Sequence, residues 1–96
     1  MTIETQFETR RTTVQREVTQ IGTMIRDLNQ VVRQLETDAD LEEKRARIFD
    51  PRDTAYPILA RVLTVRRDNL KATIGALEQR MASLRRIFPE VANIAA

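Results

Sequence analysis

Apolar residues at alternating intervals of four and three constrain this chain more than any other feature. Two rows of them, each with a spacing of seven, run from Phe7 through about four heptads. The rows are Phe7, Val14, Ile21, Leu28 and Leu35, with Val18, Ile25, Val32 and Ala39 between them. Such spacing is typical of the a and d positions of a coiled-coil helix, because it places one apolar stripe along one side. The pattern predicts a first helix over about residues 3–48.

The second half of the chain repeats the pattern. One row is Leu63, Leu70, Leu77, Leu84 and Val91, and the other is Ala60, Ile74, Met81 and Phe88, interrupted by Arg67. We therefore expect a second helix over about residues 55–88. Pro89 should end or bend it, because proline disfavours helical geometry in the residue before it. A short C-terminal tail over 89–96 completes the chain.

The connection is a proline-containing turn, predicted over about residues 49–54. Pro51 cannot continue a helix and biases Asp50 away from helical geometry. Asp53 or Thr54 can cap the second helix, with Pro57 in its first turn, where a missing N–H is harmless. In an alternative start, Asp50 caps the helix with Pro51 at its first position, and Pro57 then kinks it.

Two long amphipathic helices with a short connection pack antiparallel, so we expect an all-α hairpin forming one domain over 1–96. Charge supports this arrangement, because residues 1–50 carry eight basic and ten acidic groups, whereas residues 51–96 carry eight and four. Glu36, Asp38 and Asp40 are predicted to face Arg61, Arg66 and Arg67. The predicted core of the hairpin and of its oligomer is Phe7, Val14, Val18, Ile21, Ile25, Leu28, Val32, Leu35, Leu63, Leu70, Ile74, Leu77, Met81, Leu84 and Phe88.

A single hairpin of 96 residues buries only one seam, which gives marginal stability without a disulfide, metal or partner. The apolar stripe is also wider than the a and d rows. The flanking residues are Ile3, Met24, Val31, Leu41, Ile58, Leu59, Val62, Val65, Ile87 and Ile94. A wide stripe indicates a second contact surface, so we expect a homodimer in which two hairpins form a four-helix bundle.

Catalysis is not expected. The chain has no cysteine and no histidine, which removes thiol nucleophiles, imidazole bases and nearly all common zinc and haem ligands. Ser83 therefore has no histidine to activate it, and Tyr56 has no evident catalytic partner. The acidic run over residues 36–43 lacks calcium-loop spacing and is interpreted as a solvated or salt-bridged face. No cofactor or metal is predicted.

A cytoplasmic location is expected, since residues 1–4 lack the basic-then-apolar pattern of a signal peptide and no apolar run could span a membrane. Fourteen arginines against two lysines indicate a GC-rich, bacterial genome rather than an arginine-specific function.

Two pairs of unusual residues have open interpretations. Arg11 and Arg67 occupy a positions, where they either specify a partner or lie along apolar surface with the charge in water. Gly22 and Gly75 lie nearly opposite each other in the predicted hairpin. They permit close helix approach, form a shallow groove, or are simply tolerated small residues.

These features favour a non-catalytic interaction protein, a small homo-oligomeric helical adaptor, chaperone or assembly factor that binds partner helices through its heptad surfaces. The protein partner itself is not identifiable from the residues. The alternative is an RNA- or DNA-binding regulator that uses the arginine-rich face of helix 2, including Arg80, Arg85 and Arg86. In architecture the chain resembles small dimeric hairpin bundles of the Rop type, which bind RNA on a helical face.

Overall fold

The computed structural model describes residues 2–91, apart from the side chain of Phe7. Helix α1 spans Ile3–Ala46 and helix α2 spans Ile58–Ile87, and a short 3-10 helix follows at Pro89–Val91. The described residues contain no strand. The prediction of an all-α chain with two long helices joined by a turn is confirmed.

The chain divides into two compact units, and each helix contributes a segment to both. We call residues 1–26 and 75–96 the terminal unit, and residues 27–74 the turn unit. Each unit is described by itself below.

The terminal unit has a continuous apolar core built from the a and d rows of both helices. Its buried members are Val14, Val18, Ile21, Met81, Leu84 and Val91, with Ile25, Leu77 and Phe88 packed against them. Val91 is completely buried, because the 3-10 helix turns the chain back after α2. The predicted tail therefore begins with an ordered segment, and residues 92–96 lie outside the described part of the chain.

The turn unit also buries its a and d residues, although less completely. Val32, Leu35, Ala39, Ala60 and Ile74 are buried, together with Tyr56 from the connection. Leu28, Leu63 and Leu70 belong to the same rows but are only half-buried.

Ion pairs between the helices support the antiparallel register. In the terminal unit, Arg80 Nε lies 2.8 Å from Glu17 Oε1. In the turn unit, Lys71 Nζ lies 3.9 Å from Glu36 Oε2. Both pairs fit the register in which Leu28 lies opposite Ile74. Glu36 therefore contacts Lys71, which lies one helical turn after the predicted Arg67. The reason is that Glu36 and Lys71 lie on the same side of the seam.

Helix α1 ends at Ala46, two residues before the predicted boundary, in a Schellman motif. Arg47 adopts a left-handed conformation with φ of 60°, and Ile48 N–H donates to Glu43 O at 3.3 Å. This bond between the residue after the left-handed position and a carbonyl five residues earlier defines the motif. Arginine is an uncommon residue at this position, which usually holds glycine.

The connection consists of two successive turns, each organised by an aspartate. Asp50 Oδ1 accepts from the Arg52 N–H at 2.9 Å, and Asp53 Oδ1 accepts from the Ala55 N–H at 2.8 Å. The Asp53 N–H donates to Asp50 O at 3.0 Å, and the Tyr56 N–H donates to Asp53 O at 3.1 Å. Both carboxylates are therefore used within the connection.

Helix α2 begins at Ile58 rather than at about residue 55, and neither Asp53 nor Thr54 caps it. Pro57 excludes Tyr56 from helical geometry, because its ring collides with the backbone of the residue before it. The Pro57 carbonyl accepts the first helical hydrogen bond, from the Arg61 N–H at 3.1 Å. Pro57 thus precedes the helix instead of lying in its first turn.

Candidate functional site

The most unusual surface of the turn unit is a group of large apolar side chains exposed to water. Six residues, which we call the apolar face, are Val31 (42% exposed), Leu41 (58%), Ile58 (80%), Leu59 (49%), Val62 (55%) and Val65 (54%). Each was predicted to flank the seam.

Heptad geometry relates these residues to the buried seam, with g beside it, c further out and f on the back of the helix. With the buried seam at a and d, Val31 and Leu59 take position g, Leu41 and Val62 position c, and Ile58 and Val65 position f. The ion pair between Glu36 and Lys71 joins the two e rows of this unit. The two g rows therefore adjoin on the opposite side of the seam, and c and f continue outward from them.

Half-buried seam residues extend the apolar face inward. Leu28, Leu63 and Leu70 are at d positions, next to the g rows. The e rows carry polar and charged residues such as Asn29, Glu36 and Lys71. The g rows combine Val31 and Leu59 with Asp38, Arg45 and Arg66, so the g side is mixed whereas the e side is polar.

Charged residues border the apolar face without a net excess of either sign. The turn unit contains nine basic and nine acidic residues. Arg61 Nη2 donates to the Pro51 carbonyl at 2.8 Å, and its guanidinium lies 5.2 Å from the centre of the Tyr56 ring. Arg67 Nη2 lies 2.9 Å from Asp68 Oδ1.

Tyr56 is a structural residue that sequence reasoning missed. It is only 6% exposed, and its hydroxyl donates to Glu43 Oε2 at 2.9 Å. Burial raises the pKa of the Tyr56 hydroxyl above its ordinary value, and the hydrogen bond and negative charge of Glu43 raise it further. The available signal was its position seven residues before Leu63, on the same heptad row.

The predicted core residues are almost all inside. Buried ones are Val14, Val18, Ile21, Val32, Leu35, Ile74, Met81 and Leu84, and half-buried ones are Ile25, Leu28, Leu63, Leu70, Leu77 and Phe88. The side chain of Phe7 lies outside the described part of the structure. Their role in an oligomer stays a prediction.

The arginines proposed as partner contacts differ in their individual surroundings. Arg80 is ion-paired with Glu17, whose hydrogen bond and charge raise the pKa of Arg80. Arg85 is half-buried, whereas Arg86 is exposed. Arg11 lines a shallow pocket with Ile3, Glu4, Glu8, Phe88 and Glu90.

The surroundings of Arg67 agree with the interpretation in which its side chain lies along apolar surface and its charge is in water. Its side chain is 29% exposed, and its guanidinium reaches Asp68 at the rim. The carbon chain therefore covers apolar surface while the charge reaches solvent.

The glycines of the terminal unit differ in their surroundings. Gly22 is buried and lines a shallow groove with Ile25, Met81 and Arg85. A methyl group added at Gly75 would meet no atom within 4 Å. Close helix approach therefore does not explain Gly75.

Two further properties bear on the kind of site. Among residues 2–91, no group of three or more carboxylates comes together as a metal site would require. Neither described helix has an apolar segment long enough to cross a membrane.

Comparison with models of protein families, with curated proteins and with solved structures finds no match to this chain.

Proposed function

We propose that this chain is a non-catalytic protein–protein interaction module of the cytoplasm, a small homo-oligomeric helical adaptor, chaperone or assembly factor. The observation that carries the proposal is the apolar face, which exposes six large side chains of the turn unit. Burying such a surface is favourable by about 25 cal/mol per Å², before the cost of association is subtracted.

The apolar face suits a helical partner because three of its side chains on α2 repeat the spacing of a coiled-coil seam. Ile58, Val62 and Val65 are separated by intervals of four and three and are all at least 54% exposed. An amphipathic helix can lay its own apolar residues between these knobs, as helices do in groove-type recognition.

The alternative, nucleic-acid binding, receives less support from the contacts. A phosphate backbone is bound by basic side chains available to solvent. Arg80 and Lys71 instead form ion pairs across the hairpin, and Arg67 contacts its neighbour Asp68. At these positions the basic residues of α2 contact carboxylates of the same chain, so they are less available to bind phosphate.

The test compares the proteins that the immobilised chain captures with those captured by a Val62→Asn/Val65→Asn variant. We expect the variant to lose specific partners that the native chain retains even at about 0.5 M salt, because apolar burial is not screened by ions. A Met24→Asn/Ile87→Asn variant is the matched control. It removes two exposed apolar residues outside the apolar face, 48% and 62% exposed, and should keep those partners.

Identical capture by the native chain and by the Val62→Asn/Val65→Asn variant would contradict the proposal. RNA or DNA binding that falls steeply with salt and disappears when Arg80, Arg85 and Arg86 are neutralised would favour the alternative.

A further inference from the structure

We infer that a second copy of this chain covers Ile58, Val62 and Val65, which α2 contributes to the apolar face. In this dimer the two α2 helices pack antiparallel, with Val62 of each protomer opposite the partner's Val65. The inference rests on the proposed function, because it names the first partner of the same surface.

Helix α2 carries two seams on different sides. The inner seam includes Leu63, Leu70 and Ile74 and packs against α1. The outer seam is Ile58, Val62, Val65 and Ala72, with Asn69 interrupting it. All of these residues lie in the turn unit. The outer seam has the spacing that knobs-into-holes packing requires, and no residue of the same unit covers its valines, which are 55% and 54% exposed.

The charges beside the outer seam disfavour a parallel pair. Arg61 and Asp68 flank one edge of this seam, and Arg66 flanks the other. In parallel coiled coils, a residue on one edge meets the partner residue five positions further along on the other edge. Arg61 would then lie beside the partner's Arg66, which is a like-charge contact.

Among antiparallel registers, charge selects one. When Val62 lies opposite the partner's Val65, Arg61 lies beside the partner's Asp68, and the two-fold axis repeats this opposite-charge contact. A shift of one heptad in one direction brings Asp68 beside the partner's Asp68. A shift in the other direction brings Arg61 beside the partner's Arg61. Both shifts replace two attractions with repulsion between like charges.

The intramolecular contacts of these two residues leave room for the pair. Arg61 uses Nη2 for the Pro51 carbonyl, but a guanidinium has five N–H donors. Asp68 accepts from Arg67 through Oδ1 at 2.9 Å, and Oδ2 is the second acceptor of the same carboxylate.

The contact that α2 offers to a second copy is apolar and exposed, since Ile58, Val62 and Val65 are 80%, 55% and 54% exposed. The turn unit also has equal numbers of acidic and basic residues, so no net charge opposes the approach of a second copy.

The experiment is a charge-reversal cycle followed by equilibrium sedimentation. We expect the native chain to dimerise at micromolar concentration and the Val62→Asn/Val65→Asn variant to be monomeric. Arg61→Asp and Asp68→Arg should each weaken dimerisation about tenfold or more. The Arg61→Asp/Asp68→Arg variant should recover most of the loss, because every contact is again between opposite charges. Arg33→Asp, on the exposed part of α1, is the matched control and should leave dimerisation unchanged.

Cysteine cross-linking provides an independent measurement, which does not depend on variants that disturb the Arg61 contacts. The chain has no native cysteine, so an introduced thiol is unique. A mixture of Val62→Cys and Val65→Cys chains should form a heterodimeric disulfide, because facing residues of the two seams are within disulfide reach. Ile58→Cys alone should not form a disulfide, because the partner's Ile58 lies far along the antiparallel helix.

The outcomes separate this inference from the proposed function. A monomeric native chain, or a double reversal no better than the single reversals, would overturn the inference. If capture of other proteins still required Val62 and Val65, the proposed function would stand without it. If neither dimerisation nor capture responded to those valines, both would fall.

Discussion

At the scale of single residues, Tyr56 holds the connection in place by contacting both helices. Its hydroxyl bonds to Glu43 on α1, and its ring packs beneath Arg61 on α2, at 5.2 Å from the guanidinium carbon. Arg61 in turn bonds to the Pro51 carbonyl in the connection. One buried aromatic ring thus links α1, α2 and the connection.

Replacement of Tyr56 by phenylalanine should lower the free energy of unfolding by about 1 kcal/mol at pH 7, the usual net contribution of one hydrogen bond. The pKa of Tyr56 is higher in the folded protein than in the unfolded chain, where it is about 10. The contribution of Tyr56 to the free energy of unfolding is therefore fully present below pH 10 or so. This contribution is lost as the pH rises through the pKa that Tyr56 has in the folded protein. The advantage of the native chain over Tyr56→Phe should therefore shrink above pH 10.

Denaturant unfolding of both proteins between pH 7 and 11.5 or so measures this difference. Tyr56 is the only tyrosine, so the absorbance of its phenolate reports the titration directly. Lysine titration in the same range affects both proteins and cancels in the difference. A gap that stays constant across the series would contradict the assignment.

The sequence did not predict this role of Tyr56. Tyr56 lies seven residues before Leu63 and therefore continues that heptad row, a signal for burial that the prediction did not use. The contact with Glu43 depends on how the two aspartate turns fold, which side-chain spacing does not determine.

At the scale of helices, the ends differ from the predictions for reasons of backbone conformation. The predicted boundaries rested on proline and capping residues, whereas α1 ends through a left-handed Arg47 and α2 starts only after Pro57. Heptad spacing predicted the helix interiors well, because every turn repeats the same constraint. A terminus has only one residue at each capping position, so its signal is weaker.

Replacement of Arg47 by glycine should raise the free energy of unfolding by about 1 kcal/mol. A left-handed conformation costs roughly 1–2 kcal/mol in a residue with a Cβ atom, and glycine avoids that cost. Arg33→Gly is the control, since it also replaces an exposed arginine but lies within α1. It should lower stability by about 1 kcal/mol. Equal losses in both variants, measured by denaturant unfolding, would show that the left-handed conformation is not strained.

Replacement of Gly75 by alanine should stabilise the protein by about 1 kcal/mol, because glycine is the poorer helix former and the added methyl group meets open space. The adjacent Ala76→Gly replacement is the matched control, and it should destabilise by a similar amount. Thermal unfolding of the two variants against the native chain measures both effects. Loss of stability in Gly75→Ala would indicate a contact that the surroundings of Gly75 do not show.

At the scale of the whole molecule, the antiparallel arrangement was predictable because several independent patterns agree. The two heptad rows, the short connection and the opposed charges all favour the same register, and Glu17–Arg80 and Glu36–Lys71 pairs occur in it. The apolar face was predictable for the same reason, since Val62 and Val65 fall outside the seam. Val91 falls on the heptad row of Leu63 and Leu84, although the 3-10 helix that buries it after Pro89 was not predicted.

The sequence separation of the contacts has a consequence for the order of folding. The bond between Tyr56 and Glu43 closes a segment of 13 residues, whereas the bond between Arg80 and Glu17 spans 63. Closing the shorter loop costs less chain entropy and is faster. Refolding should therefore begin at the connection and proceed as a zipper toward the two chain termini.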